Sequence, residues 1–76
     1  MPKFNIELTD TYNGESNYSW VRRETLESNK DTTRSIVRAA KKWCGFTGLR
    51  SEIENYGDMI VIRPREINQV AFVTFD

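Results

Sequence analysis

The residues of this chain best equipped for chemistry lie in the run NYSWVRRE, where Tyr18, Trp20, Arg22 and Arg23 fall close together. Aromatic rings on a sheet can stack on unpaired bases, and aromatics beside arginine are frequent anchors of protein interfaces. This is the chemistry of gripping a partner, with no bond made or broken. If Tyr18, Trp20 and Arg22 share one face of a strand, Ser19, Val21 and Arg23 share the other. The plainer reading is that the rings cover the second face of a sheet while the arginines extend over them. At the far end of the chain, RPRE supplies Arg63, Arg65 and Glu66. These arginines either join the same surface or pair with Glu52 and Glu54 across a hairpin.

A second set of cations, Arg34, Arg38, Lys41 and Lys42, recurs at offsets of four, seven and eight. On a helix that spacing gathers them on one face, opposite the apolar stripe Ile36, Val37, Ala40, Trp43 and Cys44. Such a face can contact phosphates or an acidic protein, or it is a solvated back whose last-turn lysines complement the helix dipole.

Covalent and metal chemistry find little footing. The chain has no histidine and one cysteine, Cys44, which excludes the Ser-His-Asp triad, the Cys-His dyad, zinc sites of Cys/His type and an internal disulfide. Carboxylates at Asp10, Glu15 and Asp58 sit in turns, and no spacing marks a general acid-base pair. No catalytic residue, metal or cofactor is expected. Eleven basic and eleven acidic side chains cancel, so attraction to a charged partner must come from a local patch.

The elements that must position these residues can be read from period and punctuation. KFNIELTD alternates Phe4, Ile6 and Leu8 with polar residues and predicts a first strand. Asn13-Gly14 is a turn dipeptide, and a second strand from about Tyr18 to Leu26 closes an antiparallel hairpin. Asp31 is expected to cap the helix that starts near Thr32, and Gly45 to end it. LRSEIEN and MIVIR form another hairpin around YGD, Pro64 stops it, and VAFVTF is a fifth strand. The order β-β-α-β-β-β predicts an α+β fold, an antiparallel sheet of about five strands with one helix on one face. At 76 residues, with no repeat or linker, the whole chain 1–76 reads as one domain. MIVIR and VAFVTF are apolar on both parities, so something besides the helix must cover the second sheet face. Loops, the rings of Tyr18 and Trp20, a second copy or a partner are the candidates.

Three runs, DTYNGESNYSWVRR, CGFTGLR and NYGDMIVIRPR, together resemble a group of very small accessory proteins encoded by bacteriophages, prophages and plasmids. The layout, a short basic helix followed by three strands, is similar to that of a type I-F anti-CRISPR protein. The resemblance spans about Asp10 to Phe75. It implies a non-enzymatic protein of the bacterial cytoplasm that binds and inhibits a host protein or nucleoprotein complex, with a CRISPR effector among the targets. Tyr18, Trp20, Arg22, Arg23, Arg63 and Arg65 are then the expected partner contacts, with the helix cations as a second surface. Two alternatives stand beside it: a small nucleic-acid-binding module that uses the basic residues on phosphates, and a structural or homodimeric phage component. With no secretion signal or membrane-spanning run, no membrane partner is expected.

Overall fold

The computed structural model describes residues 3–13 and 15–75. Five strands, β1 (Lys3–Tyr12), β2 (Glu15–Glu27), β3 (Ser51–Asn55), β4 (Met59–Pro64) and β5 (Gln69–Thr74), form one sheet in the order β2-β1-β5-β4-β3. All neighbours are antiparallel. The single helix α1 (Thr33–Cys44) follows the first hairpin and packs on one face, completing the expected α+β architecture.

The alternation of β1 sets the two faces. Phe4, Ile6 and Leu8 point to the helix and are buried with Ile60, Ile62, Ala71 and Val73 from β4 and β5, and with Ile36 and Ala40 from α1. Phe46, just past the helix, is also buried in this core. Burying a side chain of this size contributes on the order of 1.5–3 kcal/mol, so these residues dominate the fold. Asn5, Glu7 and Thr9 point to the opposite face, where β5 sets Thr74, Phe72 and Val70 beside them. Val61, opposite Phe72, continues this row.

The helix starts one residue later than Asp31 would have it. Thr32 is extended (φ −121°, ψ 147°) and its hydroxyl accepts the Ser35 N–H at 3.2 Å, so Thr32 is the cap and Asp31 lies outside the helix. A threonine hydroxyl and a carboxylate can both cap there, and backbone geometry decides which residue stands at the boundary. Gly45 ends the helix as expected, left-handed at φ 79°, and the Phe46 N–H bonds back to the Lys41 carbonyl at 2.7 Å. LRSEIEN is shorter as a strand than its alternation suggests. The Leu49 N–H bonds to the Phe46 carbonyl at 2.9 Å, which keeps Leu49 in a turn, and pairing begins at Ser51. Asn13 has the positive φ, 54°, that a tight hairpin demands; its turn partner Gly14 lies outside the described residues.

Strand β2 begins earlier than expected, at Glu15, because a bulge interrupts rather than precedes it. Val21 pairs with Thr9 and Ser16 with Thr11, so Asn17, Tyr18, Ser19 and Trp20 stand against Asp10 alone. A bulge this large bends the strand and redirects its side chains.

Candidate functional site

The bulge is held by two side chains of β1. The Thr9 hydroxyl donates to the Trp20 carbonyl at 2.9 Å and accepts the Tyr18 N–H at 3.1 Å. Asp10 accepts from the Ser19 N–H at 3.0 Å, the Ser19 hydroxyl at 2.6 Å and the Asn17 amide at 3.0 Å. These donors hold the Asp10 carboxyl down at about 2, from an ordinary 3.8, with the Ser19 hydroxyl the largest cause. Tyr18 takes φ 56°, a conformation costly for an aromatic residue and sustained by these bonds. Thr9 points away from the helix yet is fully buried, as is Val70 beside it. Part of the second sheet face is therefore covered by the chain itself, through the bulge.

The clustering of Tyr18, Trp20 and Arg22 on one face does not occur, because the bulge breaks the alternation that would have aligned them. Tyr18 lines an open cleft of about 660 Å³ on the sheet face away from the helix, with Arg23, Glu7, Met59, Phe72 and Thr74. Arg22, opposite Leu8, lies on the helix face, its guanidinium 4.6 Å from the centroid of the Trp43 ring. Trp20 is 39% exposed.

Most of the expected contact arginines are engaged within the fold. Arg23 pairs with Glu7 at 2.8 Å, Arg63 with Glu54 at 3.3 Å and Arg65 with Glu52 at 3.8 Å. The first two pairs join neighbouring strands, the third ties Arg65, just past β4, back to β3, and the latter two engage the RPRE arginines across the β3–β4 hairpin. Tyr56 donates its hydroxyl to Glu54, which raises the phenol's pKa.

The helix cations differ in this respect. Arg34, Arg38 and Lys42 are exposed, and no carboxylate pairs with them among the described residues. Lys41 is half-buried and donates to the Leu49 carbonyl at 3.0 Å, so it braces the turn after the helix. No acidic residue occurs in Thr33–Cys44. Arg38 lines two hollows that flank the helix. One, of about 580 Å³, lies between α1 and the end of β2, with Leu26, Ala39 and Trp43 as its apolar part and Lys42 beside Arg38. The other, of about 240 Å³, is shared with Arg34, Lys41, Thr47 and Gly48. Sequence reasoning found these cations but missed the bulge and the hollows. The long-range partners of Thr9 and Arg22 have no signature in local spacing.

Cys44 is half-buried at the end of the apolar stripe, where desolvation pushes its thiol up to about 12 against the opposing pull of Arg22. Among the described residues no group of three or more His, Cys, Asp or Glu is placed to hold a metal ion, and no helix is long and apolar enough to cross a membrane. Comparison with family models, with curated proteins and with solved structures gives no match, and the functional reading rests on the arrangement of these side chains.

Proposed function

We propose that the protein is a non-enzymatic binding module that docks on the phosphate backbone of nucleic acid, as it is displayed in a host nucleoprotein complex, through the outer face of α1. One observation carries this reading: charge is segregated in a protein whose net charge is zero. Arg23, Arg63 and Arg65 are paired with glutamates, whereas Arg34, Arg38 and Lys42 recur along one helix face with no ion-pair partner among the described residues, and the one carboxylate in the hollow of Arg38 and Lys42, Glu27, is paired with Lys3. Clustered unpaired cations raise local counterion density, and phosphates that displace those counterions gain affinity. Arg38 and Lys42 bear the main contacts, with Arg34 extending the footprint.

The test is fluorescence anisotropy with a labelled 20-base-pair duplex and a labelled 20-nucleotide single strand across rising salt. Three phosphate contacts predict a log–log salt slope of about −2.7 for the duplex and about −2 for the single strand. The double variant Arg34→Glu/Arg38→Glu should abolish binding while circular dichroism stays unchanged. No salt-dependent binding by the unaltered protein, or undiminished binding by the double variant, overturns the reading.

A second reading, that of a phage or mobile-element inhibitor gripping a host protein such as a CRISPR effector, is favoured by a different feature. The cleft on the far sheet face is lined by Tyr18, Met59 and Phe72 together with the ion pair Glu7–Arg23, an aromatic anchor beside a charged pair. Pull-down from a bacterial lysate with and without nuclease separates the two. Capture of one defined complex that survives nuclease and is lost in Tyr18→Ala supports the inhibitor, and capture that vanishes with nuclease supports docking on nucleic acid.

A further inference from the structure

Strand β2 is an edge of the sheet, and seven of its residues, Val21 to Glu27, pair regularly with β1 on one side and with nothing among the described residues on the other. Edges of this length are normally blunted, because their free N–H and C=O groups template the addition of another strand. The local bonding shows which groups are free. The Thr25 N–H donates to its neighbour Glu24 at 3.1 Å, so it points away from β1. In an antiparallel strand the direction alternates residue by residue, so the backbone groups of Val21 and Arg23 point outward with those of Thr25.

We infer that β2 pairs antiparallel with β2 of a second copy of this chain, about a two-fold axis through Arg23. In this register the two Arg23 backbones exchange N–H and C=O, and Val21 of each copy does so with Thr25 of the other. The register also sets Arg22 of each copy opposite Glu24 of the other. These are the two charges of β2 between Val21 and Glu27 with no ion-pair partner among the described residues. Opposite charges directly across a strand pair are favourable. Glu24 now caps the Thr25 N–H, and it leaves that N–H for the partner's Val21 carbonyl as it swings to the partner's Arg22. The facing Arg23 side chains are each already neutralised by Glu7 at 2.8 Å.

Neighbouring registers are poorer. Centring on Arg22 or on Glu24 stacks like charges face to face. Centring on Thr25 sets Arg23 against Glu27, but Glu7 and Lys3 already occupy those two. The inference does not rest on nucleic-acid binding, and its readout contains no nucleic acid.

Sedimentation equilibrium over a wide protein concentration range tests it. The unaltered protein should show a monomer–dimer equilibrium. Thr25→Pro, which removes an N–H that β1 does not use, should remain folded by circular dichroism and be monomeric. Arg22→Glu and Glu24→Arg should each weaken the dimer by about tenfold or more, since each juxtaposes like charges across the axis. An equimolar mixture of those two variants should recover dimer, because a glutamate at 22 then meets an arginine at 24 and the native pair meets on the other side. A protein that is monomeric throughout, a dimer that survives Thr25→Pro, or a mixture no stronger than its components overturns the proposal.

Discussion

The Arg22 guanidinium lies 4.6 Å from the centroid of the Trp43 ring, joining the edge strand β2 to the last turn of the helix. This stacked pair adds to the packing of Leu26 and Trp43 against the core as a link between the two elements. Trp43 also lines the hollow that holds Arg38 and Lys42.

Arg22→Ala should therefore lower stability by about 0.5–1 kcal/mol, the range for a cation on a tryptophan face at an exposed site. In a domain of this size that is a fall of roughly 4–8 °C per kcal/mol in the melting midpoint. Urea unfolding followed by tryptophan fluorescence checks it, and Arg22→Lys should lose less than Arg22→Ala.

Thr9→Val removes a hydroxyl that serves a buried position twice, leaving the Tyr18 N–H and the Trp20 carbonyl without their partner. The expected cost is about 1–3 kcal/mol, with Thr9→Ser close to the unaltered protein. Amide hydrogen exchange at Tyr18 should accelerate in Thr9→Val before global stability is lost.

Asp10 gives the bulge a pH dependence with a definite sign. Its carboxyl is held at about 2 in the fold against 3.8 ordinarily, so its contribution is complete above pH 3.8 and is lost as pH falls towards 2. Asp10→Asn should be less stable than the unaltered protein at pH 6, and the difference should shrink as pH falls from 3.8 and vanish only below 2. Thermal melts across that interval provide the comparison.

Cys44 should resist alkylation. With its thiol raised to about 12 by burial, little thiolate exists at pH 8, and labelling should follow unfolding. Iodoacetamide labelling in rising urea, read by mass spectrometry, should track the unfolding curve. Above pH 9 the unfolded chain ionises this thiol first, so stability should decline as pH rises from 9 towards 12.

Gly45→Ala places a Cβ in open space, with nothing within 4 Å, yet at φ 79°. The cost is conformational alone, about 1–2 kcal/mol, and Gly45→Asn should lose less. Denaturant midpoints for the two variants check the order.

Period-two alternation, turn residues and the switch to helical spacing at Thr32 were enough to read the number of strands, their order along the chain and their antiparallel sense, but not the place of β5 between β1 and β4. Side chains that act locally were legible: Gly45 by its lack of a Cβ, Pro64 by its missing N–H. The bulge was not. Its cause is a contact between Thr9 and a backbone nine residues away in the chain, and NYSWV looks like any strand until that contact is known. The same limit applied to the arginines. The sequence left open whether Arg63 and Arg65 pair with Glu52 and Glu54, and the register alone, which sets Glu52 opposite Arg63, does not reveal the diagonal pairs Arg63–Glu54 and Arg65–Glu52. The helix cations were legible because their clustering is local, whereas their lack of an ion-pair partner among the described residues is a property of the folded surface.

The sheet order β2-β1-β5-β4-β3 places the first strand of the sequence beside the last, with Asn5 opposite Thr74 and Asp10 opposite Gln69. During synthesis the hairpins β1–β2 and β3–β4 can close early, but neither buries the core until β5 emerges and inserts between them. The seam between β1 and β5 carries the largest loop-closure cost in the molecule and forms late. Folding should thus be slow for a chain of this length, and until β5 arrives β1 offers a naked edge to any strand nearby.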